Sequence, residues 1–98
     1  MNIKIYEPAL CCSTGICGAN VNPELLRITS FVQKCKEQGI EIDRFNLASN
    51  PSEFIDNGLV CELMKENQSN LPITLVDNVV FKIGAYPSND ELNELVNQ

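Results

Sequence analysis

Residues 71–83 read LPITLVDNVVFKI, and this stretch predicts a β-hairpin. Two runs rich in β-branched and aromatic residues, Pro72–Val76 and Val79–Ile83, flank the dipeptide Asp77-Asn78. Both residues of that dipeptide tolerate the positive φ angles of a two-residue hairpin turn, although Asn-Gly and Asp-Gly are the more favoured pairs. The two strands are therefore expected to run antiparallel.

A strand and a helix are predicted nearer the N-terminus. Ile3 and Ile5 alternate with polar residues over Asn2–Tyr6, which is the pattern of a half-buried strand. A helix is predicted over Pro23–Gln38, with a proline at its first position and Gly39 as its C-terminal cap. Its apolar stripe consists of Leu25, Ile28, Val32 and Cys35.

The middle of the chain predicts a second strand and a broken helical region. The strand is indicated by the apolar residues Ile40, Ile42, Phe45 and Leu47. Residues 50–53, Asn-Pro-Ser-Glu, form a helix-start pattern in which Glu53 is placed to complete a capping-box-like pair. Asn57-Gly58 is expected to break this helix before a new apolar stripe. That stripe consists of Leu59, Val60, Leu63 and Met64.

A last helix is predicted over Ser88–Val96, which makes the element order βαβαββα. Its apolar face consists of Leu92, Leu95 and Val96. The first two strands are joined by a helical crossover and should run parallel, whereas the hairpin strands run antiparallel. This order predicts an α/β protein with a thioredoxin-like fold, a four-stranded mixed sheet flanked by helices, as one domain over residues 1–98. That fold commonly keeps a cis proline where Leu71-Pro72 stands.

Composition and charge exclude several classes of function. The 98 residues are 44% hydrophobic and 20% charged, which is ordinary for one globular domain. Thirteen acidic and seven basic residues leave a net charge of -6, and the basic residues are scattered from Lys4 to Lys82, so no patch for nucleic acid is predicted. No apolar run approaches the roughly 20 residues of a membrane span, and no signal peptide is recognised. A soluble, cytoplasmic protein is expected.

Five cysteines are the unusual feature of this composition. An odd number argues against a disulfide framework, so reduced thiols are expected. Cys11, Cys12 and Cys17 fall in the 15-residue connection Glu7–Val21, which is longer than the about 2–6 residues usual between a strand and a helix. Two glycines in it would let Cys17 approach the other two, and the following helix N-terminus favours thiolate over thiol.

Three clustered thiolates and the absence of histidine limit the chemistry of this site. Without histidine the usual proton shuttle and the Cys-His and Ser-His pairs are missing, and no enzyme is expected. Structural zinc normally takes four ligands, so three sulfurs fit it poorly. Trivalent arsenic or antimony forms three bonds to sulfur and would be saturated, and copper(I) also accepts two or three thiolates. A cycling dithiol is less favoured because four residues separate Cys12 from Cys17, in place of the two of a C-x-x-C motif.

The other cysteines and the C-terminal acidic residues receive structural interpretations. Cys35 lies on the stripe of the first helix and is expected to be a buried, inert thiol. Cys61 projects away from its neighbouring stripe, is expected to be exposed and is assigned no role. The acidic residues Asp90, Glu91 and Glu94 are typical of a helix start and a solvated face, not of a catalytic carboxylate pair.

Four motifs carry a resemblance to a known family that extends over nearly the whole chain. They are YEPALCCSTGICG at residues 6–18, RFNLA at residues 44–48, Asn50-Pro51 and Leu71-Pro72. In these motifs the sequence resembles the ArsD family, the trans-acting repressors of arsenical resistance operons and arsenic metallochaperones. The core pattern Pro-Ala-x-Cys-Cys-Ser-Thr-Gly-x-Cys-Gly is long and highly specific.

The resemblance implies a protein that takes up arsenite or antimonite at Cys11, Cys12 and Cys17 and hands it to the arsenite-stimulated ATPase of an arsenical efflux pump. It also implies a homodimer that weakly represses its own operon, with operator DNA as a further partner, although the sequence shows no helix-turn-helix. The metalloid is cargo, so no resident cofactor is required. A thioredoxin-like thiol oxidoreductase and a copper(I)-binding protein remain open as alternatives. Several members carry extra cysteine pairs in a C-terminal tail, and no cysteine follows Cys61 here.

Overall fold

The strands and helices follow one another in the order that the alternating apolar residues and the helix-capping residues predict. A computed structural model describes residues 2–8, 23–67 and 70–96. The elements are β1 (Asn2–Glu7), α1 (Pro23–Glu37), β2 (Glu41–Asn46), α2 (Pro51–Asp56), α3 (Gly58–Glu66), β3 (Ile73–Val76), β4 (Val79–Ile83) and α4 (Asn89–Val96). The second helical region is split at Asn57, as Asn57-Gly58 predicts. Within the described ranges, none of the helices combines the length and the apolar character needed to cross a bilayer.

The four strands form one mixed sheet in the order β2-β1-β3-β4. β1 runs parallel to β2, with Ile3 opposite Ile42, and antiparallel to β3, with Ile5 opposite Thr74. β4 lies antiparallel to β3 at the far edge. The predicted α/β fold with a four-stranded mixed sheet is therefore confirmed, and the strand that precedes the clustered cysteines lies in the interior of the sheet.

Side chains on the two faces of the sheet form two separate cores. The first core cluster lies against α1 and α4 and consists of Ile3, Ile5, Ile28, Phe31, Val32, Cys35, Ile42, Leu92 and Leu95. The second core cluster lies against α2 and α3 and consists of Tyr6, Phe54, Val60, Leu71, Ile73 and Leu75. The alternation of Ile3 and Ile5 with Tyr6 on the other face follows from the two-residue period of a strand.

The termini of α1 and α4 agree with the capping signals. α1 ends at Glu37, one residue before the predicted end, and Gly39 adopts φ +77°. The Ile40 amide donates to the Cys35 carbonyl at 2.9 Å, which satisfies one of the last carbonyls of α1. The predicted apolar residues Leu92 and Leu95 of α4 are buried.

The capping box predicted at the start of α2 is absent, and a capping box occurs at the start of α4 instead. The Asn50 side chain makes no capping bond to α2, because its Oδ1 accepts from the Asn46 amide at 3.2 Å. Glu53 therefore completes no capping box. The box occurs at α4, where Ser88 Oγ accepts from the Glu91 amide at 3.2 Å and Glu91 Oε1 accepts from the Ser88 amide at 3.0 Å.

The hairpin turns as its sequence predicts. Asp77 and Asn78 both have positive φ, 51° and 67°, as in a type I′ turn. Leu75 lies opposite Val80 and Thr74 opposite Lys82, so Phe81 is an extra residue that forms a β-bulge in β4. The peptide bond between Leu71 and Pro72 is cis.

Candidate functional site

The three predicted metalloid ligands lie in a part of the chain between two fixed elements. Cys11, Cys12 and Cys17 lie outside the described residues, after Pro8 and before Pro23. Over the ranges 2–8, 23–67 and 70–96, no group of three or more Cys, His, Asp or Glu side chains is close enough to hold a metal ion. The ligand set thus stays a prediction, and the structure describes the elements on either side of it.

Glu7 is the last residue of β1. The sequence-based prediction that the connecting loop begins at Glu7 is therefore wrong. It lies opposite Asn46 of β2 and has no exposed surface. Arg44 on β2 binds its carboxylate through two hydrogen bonds, with Nε donating to Oε2 at 2.8 Å and Nη2 donating to Oε1 at 2.6 Å. This paired geometry matches the planar guanidinium to the carboxylate and stabilises the last residue of β1.

Two further side chains complete what we call the Glu7 cluster: Glu7, Thr29, Arg44 and Tyr86. Arg44 Nη1 donates to Oγ1 of Thr29 on α1 at 3.0 Å. The Tyr86 hydroxyl donates to Glu7 Oε1 at 2.5 Å from the segment before α4. The cluster therefore joins β1 to β2, α1 and the C-terminal segment at the end of the sheet from which the chain continues toward the cysteines.

The charges and hydrogen bonds of the Glu7 cluster indicate that it stabilises the fold. Burial raises the pKa of Tyr86 well above its ordinary value, and the hydrogen bond to Glu7 and the charge of Glu7 act in the same direction, while Arg44 opposes them. The tyrosine therefore stays protonated and donates. Arg44 neutralises the buried carboxylate, and removing either charged partner would leave the other buried and uncompensated. We interpret the cluster as an anchor for the end of β1.

The remaining two cysteines occupy different environments. Cys35 is fully buried, as expected, and burial raises the pKa of its thiol above 9.0, so it stays neutral and unavailable as a ligand. Cys61, expected to be exposed, is half-buried and lines a cavity of about 660 Å³ together with Leu47, Phe54 and Met64. α2 packs against α3 and brings Phe54 to this cavity. Neither cysteine belongs to a described metal-binding group.

Sequence reasoning missed Glu7 and Arg44, although a signal was present. Glu7 follows Ile5 by two positions, and Arg44 follows Ile42 by two, so each charged residue takes a position on the core side of its strand. Opposite charges at core positions of two strands predicted to be parallel indicate an ion pair, since a lone buried charge is costly.

Comparisons with known proteins place this chain and its fold in one family. The sequence profile described as "Arsenical resistance operon protein ArsD" matches residues 1–98. Two proteins of Escherichia coli, each named "Arsenical resistance operon trans-acting repressor ArsD", are 37% and 35% identical to the chain over 91 residues, covering 92% of the chain and 76% of each relative.

A solved structure agrees with these matches. The crystal structure of an arsenical resistance operon trans-acting repressor from Bacteroides vulgatus superimposes with a TM-score of 0.90 at 39% sequence identity, covering 95% of this chain and 89% of that one. Sequence and fold therefore agree over nearly the whole chain. The chain belongs to the ArsD family of arsenical resistance operon proteins.

Proposed function

We propose that this protein carries arsenite or antimonite, binds it through the thiolates of Cys11, Cys12 and Cys17, and hands it to the arsenite-stimulated ATPase of an arsenical efflux pump. The observation that carries the proposal is the cysteine pattern: three of the five cysteines fall within seven residues of a chain that belongs to the ArsD family. Thiolates select soft, thiophilic centres over the hard cations that carboxylates prefer.

The chemistry of arsenite suits three thiols. Each As–OH group of arsenous acid exchanges for an As–S bond, the thiol proton leaves with the hydroxyl as water, and three exchanges yield a neutral tris-thiolate and three waters. No electron is transferred, so the metalloid stays trivalent and no reductant is needed. The same exchange with a partner's thiol releases it again, which is what a carrier requires.

The frame around the cysteine segment supports this use. The Glu7 cluster anchors the residue from which the segment departs, and the buried stripe of α1 anchors the helix at which it ends. Both ends of the segment that carries the proposed ligands are therefore held by the folded domain. Cys35 is neutral and buried, which favours the clustered thiols as the ligands.

The direct test is binding stoichiometry and coordination. Reduced protein incubated with arsenite should retain one arsenic per chain, and X-ray absorption should show three sulfur neighbours. Replacement of Cys11, Cys12 or Cys17 by Ser should each weaken binding strongly, while Cys61→Ser, the matched control, should not. Two sulfur neighbours, or binding that survives Cys17→Ser, would contradict the site. Equal retention of copper(I) would favour the copper-binding alternative.

Repression is a second candidate function, favoured by the names of the two Escherichia coli relatives. In this proposal a homodimer binds operator DNA of the arsenical resistance operon. The net charge of -6 opposes contact with phosphates, so the interaction is expected to be weak. A homodimer is part of the proposed function in either case.

A further inference from the structure

The outer edge of β4 is apolar and exposed. Val79, Val80 and Ile83 expose 66%, 37% and 44% of their surface, although they lie in a strand. Among the described residues no strand pairs with the outer side of β4, since the sheet order ends there. An edge strand of this kind presents backbone N–H and C=O groups beside apolar side chains, which is a template for a further strand.

The opposite edge of the same sheet has the reverse character. β2 exposes the acidic side chains of Glu41 and Asp43 at alternate positions. Charged residues on an edge strand prevent pairing with other strands, and self-pairing of β2 would bring carboxylates together. Of the two edges, β4 is therefore the one suited to association.

The bulge at Phe81 gives β4 an unusual order of faces. Val80 lies opposite Leu75 and Ile83 opposite Ile73, so both side chains lie on the face of the second core cluster. Phe81 packs against the first core cluster on the other face. On that face Lys82 Nζ donates to Glu91 Oε1 of α4 at 3.1 Å. Val80 and Ile83 therefore lie on the face of the second core cluster, and Phe81 and Lys82 between them lie on the face of the first. This order of faces is the same when residues 80–83 are followed in either direction.

We propose that β4 pairs antiparallel with β4 of a second copy of this chain and joins two four-stranded sheets into one. This inference rests on the homodimer included in the proposed function and names its interface. Directly opposed residues must share a face, and the order of faces then sets the register. Val80 lies opposite Ile83 of the partner subunit, and Phe81 lies opposite Lys82 of the partner subunit.

A second copy fits this edge because a two-fold axis between Phe81 and Lys82 turns each residue pair into an equivalent pair. Each valine–isoleucine contact occurs twice, as an isologous interface requires. Bulges usually blunt an edge, but here the two bulges meet at the axis and keep the faces continuous. Charge also permits the pairing, because Glu91 of the same chain neutralises Lys82. No uncompensated like charges then meet along residues 80–83.

The size of this interface predicts a weak dimer. One five-residue strand from each copy contributes, which falls at the low end of specific interfaces, below about 1,200 Å². Association should therefore depend on protein concentration over the micromolar range. Sedimentation equilibrium of the reduced protein without metalloid should show monomer and dimer in exchange, and a monomer at all concentrations would overturn both the interface and the homodimer.

Single substitutions distinguish this interface from any other. Val80→Lys places a charge opposite an isoleucine twice per dimer and should raise the dissociation constant of the dimer at least tenfold. Ile55→Lys is the matched control, because Ile55 is 70% exposed on α2, which contacts β2 at the opposite edge of the sheet. A dimer that dissociates with Ile55→Lys and persists with Val80→Lys would place the interface elsewhere and overturn the proposal.

Disulfide trapping tests the register without relying on a destabilised variant. In a background where the three clustered cysteines and Cys61 are replaced by Ser, a Val80→Cys protein mixed with an Ile83→Cys protein should cross-link when diamide oxidises the two thiols to one disulfide. Directly opposed Cα atoms lie about 4.5–5.5 Å apart, within disulfide range. Val80→Cys protein alone should not cross-link, because its thiols lie about 10 Å apart along the strands. Equal cross-linking of each protein alone would contradict the register.

Arsenite binding keeps this inference separable from the metalloid proposal. Position 80 is far in sequence from Cys11–Cys17. The Val80→Lys protein should therefore be a monomer that still retains one arsenic per chain. If the protein dimerises through β4 and retains no arsenite, the metalloid proposal fails and the interface stands. If arsenite binds and Val80→Lys leaves the dimer intact, the interface fails and the metalloid proposal stands.

Discussion

The Tyr86 hydroxyl donates a hydrogen bond of 2.5 Å to Glu7 Oε1, which joins two residues 79 positions apart. Glu7 also receives both parallel hydrogen bonds from Arg44 on β2. The last residue of β1 is therefore held from a neighbouring strand and from the segment before α4. If the cysteines bind metalloid as proposed, any force on the segment that follows β1 would act against this anchor.

Loss of the guanidinium should destabilise the fold severely. Arg44→Met leaves the fully buried Glu7 carboxylate without its charged partner, so we expect the free energy of unfolding to fall by about 3–5 kcal/mol. Urea unfolding followed by circular dichroism measures this loss. Arg44→Lys should also be destabilising, because an ammonium group does not reproduce two parallel hydrogen bonds.

An exposed ion pair supplies the control for this prediction. Glu24 and Arg27 pair on α1, where the Glu24 side chain is 54% exposed. Exposed pairs contribute little to stability, so Glu24→Gln should change the unfolding midpoint far less than Arg44→Met. Equal losses in the two variants would show that burial does not set the contribution of Arg44.

Stability should fall at alkaline pH. Burial raises the pKa of Cys35 above 9.0 and the pKa values of Tyr6 and Tyr86 above 10.0. The unfolded chain releases these protons at lower pH than the folded chain, so it binds fewer protons and the free energy of unfolding decreases as pH rises above about 9. Urea titrations from about pH 8 to about pH 11 should show this decrease. In Tyr86→Phe the free energy of unfolding should fall less steeply above about pH 10, because one of the groups with a raised pKa is gone. An unchanged slope would show that Tyr86 does not contribute to the decrease.

Metalloid transfer should proceed directly between thiols. Activation of the pump ATPase at limiting arsenite should persist when a small-molecule dithiol trap is added together with the wild-type protein. Exchange of sulfur ligands within a complex never forms free arsenite, so the trap has nothing to capture. Cys12→Ser protein should give no protected activation. Complete loss of wild-type activation in the trap would show transfer through bulk solution.

Operator binding should be weak and steeply dependent on salt. A chain with a net charge of -6 gains affinity for phosphates only through a few local contacts, each lost as counterions compete. Gel-shift titrations at increasing salt should show binding that disappears near physiological ionic strength. Tight, sequence-specific binding at physiological salt would contradict the charge argument.

Local sequence signals predict most of the fold. The hairpin follows from Asp77-Asn78, which take the positive φ angles that the turn needs. The end of α1 follows from Gly39, and the break between α2 and α3 follows from Asn57, whose Oδ1 accepts from the Leu59 amide at 3.1 Å. These features depend on residues a few positions apart, so no tertiary information is needed to predict them.

Features that depend on distant residues escaped prediction. Sequence alone places Glu7 at the start of a loop, because its partners Arg44 and Tyr86 lie far along the chain. Sequence alone also predicts that Asn50 caps α2; its side chain instead accepts from the Asn46 amide, only four positions away but at the end of β2, whose position in the sheet depends on residues far along the chain. The same residue types in a sequence support either local or tertiary bonds, and packing decides between them. The three clustered cysteines, by contrast, are visible in sequence alone.

The interior position of β1 has a consequence for synthesis on the ribosome. β1 pairs with β3, and the Asn2 amide donates to Asp77, 75 positions later. The thiols of Cys11, Cys12 and Cys17 are therefore translated long before the strand that completes the sheet around β1. If these thiols bind metalloid as proposed, a nascent chain could capture it before β1 has its partner strand β3. Completion of the sheet around β1 therefore waits until residues 73–77 have left the ribosome.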